Sequence, residues 1–277
     1  MPEAPPIVLT IAGFDPSSGA GVTADIKTIA AHGCYGVSAI TALTVQSTAG
    51  VRRVVPVDAK LLGDTFDELL RDVKVSAVHI GMLGSGEVVS RVADFLGYAR
   101  LKNVVLDPVL KSSSGAALLD KPGVGLLIQR LSSLADVITP NIDEAAALTG
   151  LEVRNPPQMK LAAERLHEMG AKAVVVTGGH LNRAIDVLSV RGEQAQTYRA
   201  ERVDSPNTHG TGCAFSTAIA CQLALGQSLQ MAVLLAKTYV LAAIRSSYTI
   251  GRGPGPVNHM CTIGDSLGKE QERNQNE

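Results

Sequence analysis

The 277-residue chain contains no tryptophan and few other aromatic residues, and its charges nearly cancel. Aromatic residues make up 3% of the chain, and the formal net charge is −1 at pH 7. A protein that binds nucleic acid usually carries a basic surface, and a single-strand binder also needs aromatic rings on which bases stack. The composition offers neither feature, so no nucleic-acid partner is expected.

The four cysteines are widely spaced and form no CxxC pair; they are Cys34, Cys213, Cys221 and Cys261. This spacing argues against a zinc site and a disulfide framework, and it fits a reducing cytosol. The first residues lack a basic region followed by an apolar one, so no signal peptide is expected. No apolar run is long enough to span a bilayer. The sequence therefore predicts a cytoplasmic protein without a membrane partner.

Short apolar runs alternate with segments of helical periodicity along the chain, which indicates an α/β fold with a mostly parallel central sheet. At 45% hydrophobic and 18% charged residues, the chain can bury a substantial core. We assign residues 1–264 to one domain and expect the charged tail 265–277 to be disordered. Strands are predicted at 7–12, 36–45, 51–57, 77–80, 103–106, 136–139, 173–176, 184–190 and 194–203. Helices are predicted at 22–31, 58–73, 84–98, 156–169, 214–225 and 227–246, with two more ending near Leu134 and at Gly150.

A glycine-rich stretch, NTHGTGCAFS at 207–216, lies between a predicted strand and a predicted helix. A glycine turn that opens a helix directs unpaired backbone N–H groups at one point, beside the positive end of the helix dipole. Such a turn is a ready anion site, and the same field favours the thiolate of Cys213 on the first turn. The alternative is a turn that caps an Ala-rich core helix, with Cys213 simply buried. This segment alone gives the two interpretations equal weight.

The first predicted strand ends in a turn-rich loop at 13–21 that leads into a helix, a unit that often places a ligand at the carboxyl edge of a sheet. The loop matches neither the Walker A pattern nor GxGxxG. Taken alone, Asp15 is favoured as a turn former and Asp25 as a solvated helix residue. Gln46 offers a donor and an acceptor to a heterocycle edge, or is an ordinary loop residue. A methionine such as Met82 more often packs in the hydrophobic core than contacts a ligand.

Asn141 and Glu144 have the spacing of a helix capping box, in which the acid three residues after the cap accepts a backbone hydrogen bond. A carboxylate in this place could equally hold Mg²⁺ through water, because Mg²⁺ prefers oxygen ligands and keeps several waters.

Ten segments together resemble the hydroxymethylpyrimidine/phosphomethylpyrimidine kinases of thiamine biosynthesis, which belong to the ribokinase-like superfamily. One such motif would be weak, but the ordered set covers nearly the whole chain. The segments are TIAGFDPSSGAG (10–21), ADIKT (24–28), ITA (40–42), QST (46–48), IGML (80–83), VLDPV (105–109), TPNIDEA (139–145), GGH (178–180), NTHGTGC (207–213) and GPVNH (255–259).

The resemblance implies a ribokinase-like three-layer α/β/α fold, and a homodimer, since family members commonly form one. It implies ATP- and Mg²⁺-dependent phosphorylation of 4-amino-5-hydroxymethyl-2-methylpyrimidine and then of its monophosphate. The pyrimidine would be lined by Gly13, Ala20, Asp25, Gln46, Met82 and Val109. The anion hole and catalytic turn would comprise Gly210, Thr211, Gly212 and Cys213, with Cys213 where related sugar kinases carry an aspartate base. ATP would meet Asn141, Thr177, Gly179 and Thr211, and the metal would meet Glu144 and Asp107.

Three positions depart from the family pattern. Ser18 stands where the family more often has glycine, Ser113 where many members carry lysine or threonine, and Thr177 where lysine is common. The two missing lysines would weaken cationic stabilisation of the phosphates, with Lys111 as a nearby substitute. They bear on efficiency and on the second phosphorylation more than on the fold.

Two other functions compete with this interpretation. A pyridoxal or pyridoxine kinase of the same subgroup also carries GTGC and phosphorylates a hydroxymethyl group on a six-membered nitrogen ring. Gln46 beside Asp25 favours the aminopyrimidine, because its exocyclic amine needs an acceptor. A pyrimidine-binding protein without catalysis is the other alternative, and the intact GTGC and NxxE elements argue against it.

Overall fold

A computed structural model describes residues 3–179 and 184–262 of the chain. Its strands form one nine-stranded sheet in the order β3-β2-β1-β4-β5-β6-β7-β8-β9. The strands are β1 Ile7–Phe14, β2 Tyr35–Ser47, β3 Gly50–Pro56, β4 Val75–Ile80, β5 Val104–Leu106, β6 Val137–Ile138, β7 Ala173–Gly178, β8 Ala184–Val190 and β9 Gln196–Ala200.

Eight α-helices connect or follow the strands in the described part of the chain. They are α1 Gly21–Ala31, α2 Ala59–Asp72, α3 Gly86–Ala99, α4 Lys121–Leu126, α5 Ile142–Thr149, α6 Pro156–Glu168, α7 Thr211–Ala224 and α8 Leu229–Arg245. Within the described ranges, none of them is long and apolar enough to cross a membrane.

The six strands from β2 to β7 in sheet order are parallel to their neighbours, while β3, β8 and β9 extend the two edges in antiparallel fashion. Successive side chains of a strand point to opposite faces, so the buried strands supply two cores. Leu9 belongs to the core formed with α2, α3, α5 and α6 on one face, and Val8 belongs to the core formed with α1, α7 and α8 on the other. The predicted three-layer α/β/α architecture is therefore confirmed.

Local sequence fixes the ends of several helices. The side chains of Asp58, Ser85, Asn155 and Ser228 each accept a hydrogen bond from a backbone N–H of the first turn. Each of these N–H groups would otherwise have no partner within its helix. These caps are readable from the sequence because they depend on a single residue type at a single position.

Three local expectations need correction. The helix expected to end near Leu134 is the short α4 followed by a π-helical segment, Leu127–Leu131. The strand expected at 194–203 is confined to Gln196–Ala200. Gln46, expected where a strand passes into a loop, lies inside β2 beside an irregularity in its pairing with β3. His180 and the tail 265–277 lie outside the described residues.

A buried ion pair joins α8 to β8 behind the sheet edge. Lys237 Nζ lies 2.6 Å from Asp186 Oδ2, and both side chains are 8% exposed. Removing one partner of a buried pair leaves an uncompensated charge, so Lys237→Met should lower the free energy of unfolding by about 3–5 kcal/mol. Lys172→Met is the matched control, because its pair with Asp136 is 54% and 40% exposed and should cost about 1 kcal/mol or less. Urea unfolding measures both; equal losses would contradict the prediction.

Candidate active site

The segments that follow the parallel strands meet at one edge of the sheet, and backbone hydrogen bonds join them one to the next. In an open α/β sheet, this carboxyl edge is where ligands bind. The edge brings together most of the residues that the resemblance assigned to a site. The joining bonds run from Gly81 N to Ile11 O (2.9 Å), Asp107 N to Ile80 O (2.7 Å), Thr139 N to Leu106 O (2.9 Å) and Thr177 N to Pro140 O (2.9 Å).

Helix α7 begins at this edge with exposed backbone. Its N-cap, Gly210, has φ of 83°, and no side chain from the described residues caps the helix there. A Cβ on Gly210 would overlap the carbonyl oxygen of Gly19, so only glycine fits. Gly212 is exposed, and Thr211 turns its hydroxyl back to the Thr208 carbonyl oxygen at 2.6 Å. Thr211 N donates to the same Thr208 carbonyl oxygen at 3.3 Å, so the N–H groups of Gly212 and Cys213 are the ones available to an anion.

The surroundings of Cys213 bear on its ionisation, which the sequence left open. Burial raises the pKa of its thiol well above the usual range, the negative charges of Asp107 and Asp25 raise it further, and a backbone hydrogen bond from Gly21 only partly opposes them. Part of the Cys213 surface stays exposed, but the charges of the two buried carboxylates still disfavour a negative charge on its sulfur. Of the two interpretations of Cys213, the structure therefore favours the neutral thiol over the thiolate.

Two buried carboxylates, Asp107 and Glu144, lie after neighbouring strands. Burial raises the pKa of Asp107 to about 6, against the lowering effects of the His79 charge and the Ser216 hydrogen bond. Burial raises the pKa of Glu144 to about 8, and the negative charge of Asp107 adds to the shift. A divalent cation fits such a pair because it replaces the repulsion between like charges with attraction.

The capping role predicted for Asn141 and Glu144 is confirmed. The Asn141 side chain accepts from Glu144 N at 2.9 Å, and Glu144 Oε2 accepts from Asn141 N at 2.9 Å. Thr177 forms an isolated bridge with Asn141, which puts these two predicted ATP contacts side by side. Gly179 is exposed two residues further along.

The predicted pyrimidine contacts divide into a cluster and an exception. A Cβ on Gly13 would lie 2.7 Å from Met82 Sδ, so these residues touch. Met82 and Val109 share a small apolar cluster under β2 and β3. Gln46 Oε1 accepts from Thr44 Oγ1 at 3.2 Å, and that hydroxyl also lies 2.9 Å from the carbonyl oxygen of Phe14, next to Gly13.

Asp25 is the exception. Its side chain is 0% exposed; Thr10 and Thr217 donate to it at 2.6 and 2.9 Å, and His79 Nδ1 lies 3.2 Å away. It is not a solvated helix residue, and this burial conflicts with the direct substrate contact that the resemblance implied. The structure gives Asp25 an internal role beneath the site.

His209, to which the sequence analysis gave no role, ties three loops together. Its Nε2 lies 3.0 Å from Asp15 Oδ2, its Nδ1 lies 3.4 Å from Ser113 Oγ, and its ring fills the space beside Gly19. Asp15 also accepts from Ser17 and from the backbone N–H groups of Gly19 and Ala20. The turn-forming interpretation of Asp15 is confirmed, and the turn is held against the start of α7.

Ser18 shows why glycine is common at its position. Its φ is 59°, in the left-handed region that a side chain disfavours. Lys27 Nζ donates to the Ser18 carbonyl oxygen at 2.8 Å and holds the loop in this conformation. Ser18 therefore adopts a backbone conformation that glycine would reach at no steric cost.

The chain is similar to known proteins over most of its length. A family model described as phosphomethylpyrimidine kinase matches residues 15–258. The chain is 44% identical over 258 residues to the hydroxymethylpyrimidine/phosphomethylpyrimidine kinase of Haemophilus influenzae, covering 91% of this chain and 96% of that protein. It is also 44% identical over 260 residues, 93% of this chain, to the thiamine biosynthesis bifunctional protein ThiED of Geobacter sulfurreducens, but spans 53% of that protein's length.

Two solved structures are similar over nearly the whole fold and confirm the ribokinase-like expectation. A phosphomethylpyrimidine kinase from Clostridium difficile 630 superposes with a TM-score of 0.77 at 39% identity, covering 86% of this chain and 99% of that one. A Bacillus subtilis pyridoxal kinase in an ADP complex superposes with a TM-score of 0.85 at 35% identity, covering 92% and 98%.

The Asp15 interactions predict a dependence of stability on acid. Burial alone would raise the pKa of Asp15, but hydrogen bonds from His209 and Ser17 outweigh it and hold that pKa below its ordinary value of 3.8. The stabilisation is therefore present above pH 3.8 and is lost as the pH falls through the lower folded-state pKa. Asp15→Asn should be less stable than the wild type at pH 7 and should show a smaller loss below pH 4.

Chemical denaturation of both proteins from pH 7 to pH 3 measures this difference. Asp94→Asn is the control, because Asp94 forms a surface pair with Arg130 in which the two side chains are 53% and 38% exposed. Parallel acid profiles for wild type and Asp15→Asn would contradict the prediction.

Proposed function

The chain belongs to the phosphomethylpyrimidine kinase family, and from this premise we propose that it phosphorylates 4-amino-5-hydroxymethyl-2-methylpyrimidine with ATP. The product monophosphate would then be phosphorylated to the diphosphate, in thiamine biosynthesis. One observation carries the proposal: the uncapped first turn of α7 lies beside a buried carboxylate. A Cβ on Gly212 would be 3.8 Å from Asp107 Oδ2.

The pyrimidine would bind between β2 and the loop at 13–21. Gly13, Met82 and Val109 supply an apolar floor, and Gln46 supplies an amide at its side. Ala20 stands at the start of α1, where its N–H is held by Asp15. The hydroxymethyl group would face Gly212 and Cys213, because Gly21 lies against the Gly13 carbonyl oxygen and its backbone also hydrogen-bonds Cys213.

The transferred phosphoryl group would bind the N–H groups of Gly212 and Cys213, next to Thr211, whose own N–H is donated to the Thr208 carbonyl oxygen. Fixed N–H donors stabilise the charge that develops during transfer without reorganising. ATP would extend from there toward Asn141, Thr177 and Gly179 along the same sheet edge. Phosphoryl transfer depends mainly on positioning and charge neutralisation, which this arrangement supplies.

Asp107 and Glu144 would hold Mg²⁺. When bound, the ion would neutralise charge on the ATP phosphates. The fit rests on the raised pKa values of both carboxylates, since a cation would stabilise their charged forms. Asn141 orients Glu144 through the capping box, leaving the carboxylate fixed at the start of α5.

The role of Cys213 follows from its neutral thiol. A thiol with a raised pKa is a poor resident base, but it can donate a hydrogen bond to a phosphoryl oxygen. We therefore assign it to the anion hole rather than to proton abstraction, and no covalent step is needed.

A pyridoxal kinase is the alternative that a specific observation favours, because a solved pyridoxal kinase superposes with the higher TM-score. Gln46 still supports the pyrimidine, whose exocyclic amine would donate to the amide oxygen.

The absence of lysine at positions 113 and 177 bears on the phosphorylation of the monophosphate. Ser113 contacts His209, and Lys111 is exposed at the start of the same loop. A cytoplasmic location without nucleic-acid or membrane partners stays a prediction from composition.

ADP release with hydroxymethylpyrimidine, its monophosphate and pyridoxal tests the function and separates these cases. We expect turnover of both pyrimidines and little turnover of pyridoxal. Turnover of pyridoxal alone would overturn the substrate assignment. Binding of the pyrimidine without ADP release, in folded protein with Mg²⁺, would instead indicate a non-catalytic binding protein.

Two substitutions of Cys213 test whether it donates a hydrogen bond or acts as a base. Cys213→Ala should reduce kcat by about 10–100-fold, the equivalent of about 1.5–3 kcal/mol for a hydrogen bond to a charged group. Cys213→Ser keeps a donor and should retain most of the activity. If the serine variant loses as much as the alanine variant, the hydrogen-bonding role is wrong.

Removal of one carboxylate tests the cation site. Adding Mg²⁺ with a non-hydrolysable ATP analogue should raise the thermal unfolding midpoint of the wild type, because a ligand that binds only the folded state stabilises it. Glu144→Gln should abolish most of the increment due to Mg²⁺. Asp143→Asn, at an exposed neighbouring position, should preserve it. Equal increments in all three proteins would exclude Glu144 as a ligand.

A homodimer is proposed through the outer face of β2 and β3. Leu43, Val45 and Val55 are 50%, 48% and 42% exposed, and Leu43 lies opposite Val55. An apolar patch on an edge hairpin is typical of an interaction surface. Sedimentation should show a dimer for the wild type and for Leu161→Asp, an exposed control position on α6, and a monomer for Leu43→Asp. A monomeric wild type would contradict the dimer.

A further inference from the structure

A buried histidine on β4 is not used by the proposed reaction. His79 is 0% exposed and lies beside Thr10 of β1 in the parallel register. Its neighbours Val78 and Ile80 enter the core on the other face of the sheet. His79 therefore points toward α1 and α7, into a layer that also buries the polar residues Asp25, Ser216 and Thr217.

Its two ring nitrogens contact different elements. Nδ1 lies 3.2 Å from Asp25 Oδ2 on α1 and 3.2 Å from Thr217 Oγ1 on α7, while Nε2 lies 2.9 Å from Ser216 Oγ. Because the Thr10 and Thr217 hydroxyls already donate to Asp25, Nδ1 carries a proton that it donates to the same carboxylate.

Ser216 continues the contact toward the active site. Its hydroxyl oxygen lies 3.0 Å from the Gly212 carbonyl oxygen, 3.2 Å from that of Cys213 and 3.3 Å from Asp107 Oδ2. All three are acceptors, so the Ser216 proton is shared among them, and Asp107 is the one side-chain carboxylate that receives it. Ser216 Oγ is then the acceptor for His79 Nε2–H.

We propose that His79 is a positioning residue for phosphoryl transfer, acting through Ser216 to fix the Asp107 carboxylate and the first turn of α7. This inference rests on the proposed function. His79 touches neither substrate nor phosphate; it sets the place of the groups that do. The contacts run without a gap from Asp25 through His79 and Ser216 to Asp107.

The charges around the ring support two N–H donors. Burial by itself would lower the pKa of His79, but the charge and hydrogen bond of Asp25, with the charge of Asp107, outweigh it and raise that pKa. A doubly protonated ring donates to Asp25 and Ser216 together, which matches the geometry. It also places a positive charge between two buried carboxylates.

The test uses Ser216→Ala, His79→Gln and the double variant in the full-length protein. Partners that orient a metal-binding carboxylate usually contribute 10–100-fold to metal affinity or activity. Each single variant should therefore weaken Mg²⁺ binding by about 10–100-fold and lower kcat in the same range. KM for the pyrimidine should change little. The double variant should be no worse than the worse single variant, because the two residues act as one unit.

Mg²⁺ affinity is read by calorimetry in the presence of a non-hydrolysable ATP analogue, so the result does not depend on turnover. Thr217→Val is the matched control, because Thr217 contacts Asp25 and His79 while Asp107 keeps its bond to Ser216; its Mg²⁺ affinity should match wild type. Ser216→Ala removes only the hydroxyl oxygen. If His79→Gln does not fold, Ser216→Ala by itself tests the proposal.

Losses that multiply in the double variant would overturn the inference. So would a lowered unfolding midpoint with wild-type Mg²⁺ affinity and kcat, which is the result of a merely structural role. Wild-type protein that binds Mg²⁺ and the analogue without turning over a pyrimidine would overturn the proposed function, while the Mg²⁺ titrations would still decide the role of His79.

Discussion

Parallel pairing of the central strands is the constraint on which the site depends. Because these strands run in one direction, the segments after β1, β4, β5, β6 and β7 emerge at the same edge. Backbone hydrogen bonds donated by Gly81, Asp107, Thr139 and Thr177 join each of these strand ends to its neighbour in the sheet. The bonds leave little freedom in the relative placement of Gly13, Met82, Asp107 and Asn141. A pocket assembled from distant parts of the chain therefore has the rigidity of the sheet itself.

The layer between the sheet and the α1/α7 pair departs from the apolar rule of a protein interior. Asp25, His79, Ser216 and Thr217 are buried there with polar partners. A buried charge is costly unless it is paired and hydrogen-bonded. Here hydrogen bonds join the carboxylates of Asp25 and Asp107 to the imidazole of His79 and the hydroxyl of Ser216, beneath the start of α7. This polar layer explains both the internal role of Asp25 and the neutral thiol of Cys213.

The loops above the sheet edge are joined by side chains rather than by strand pairing. His209 connects the loop at 13–21 with the loop at 111–115, and His259 Nε2 lies 3.0 Å from the Gly19 carbonyl oxygen, which Gly210 also approaches. The loop at 13–21, the loop at 111–115 and the glycine turn before α7 are therefore one connected structure. A change in either loop reaches the other through these contacts.

The order and type of nearly every helix and strand followed from the sequence, because apolar periodicity, caps and glycine turns are local signals. The Asn141–Glu144 cap and the turn at Asp15 were readable for the same reason. His79 gave a weaker signal, a single histidine in an apolar strand, and its partners on α1 and α7 could not be read from it. Burial of Asp25, the raised pKa of Cys213 and the His209 contacts were decided by the tertiary structure alone. Each depends on charges and hydrogen-bond partners that are distant in sequence, and only the folded sheet brings them within a few ångströms.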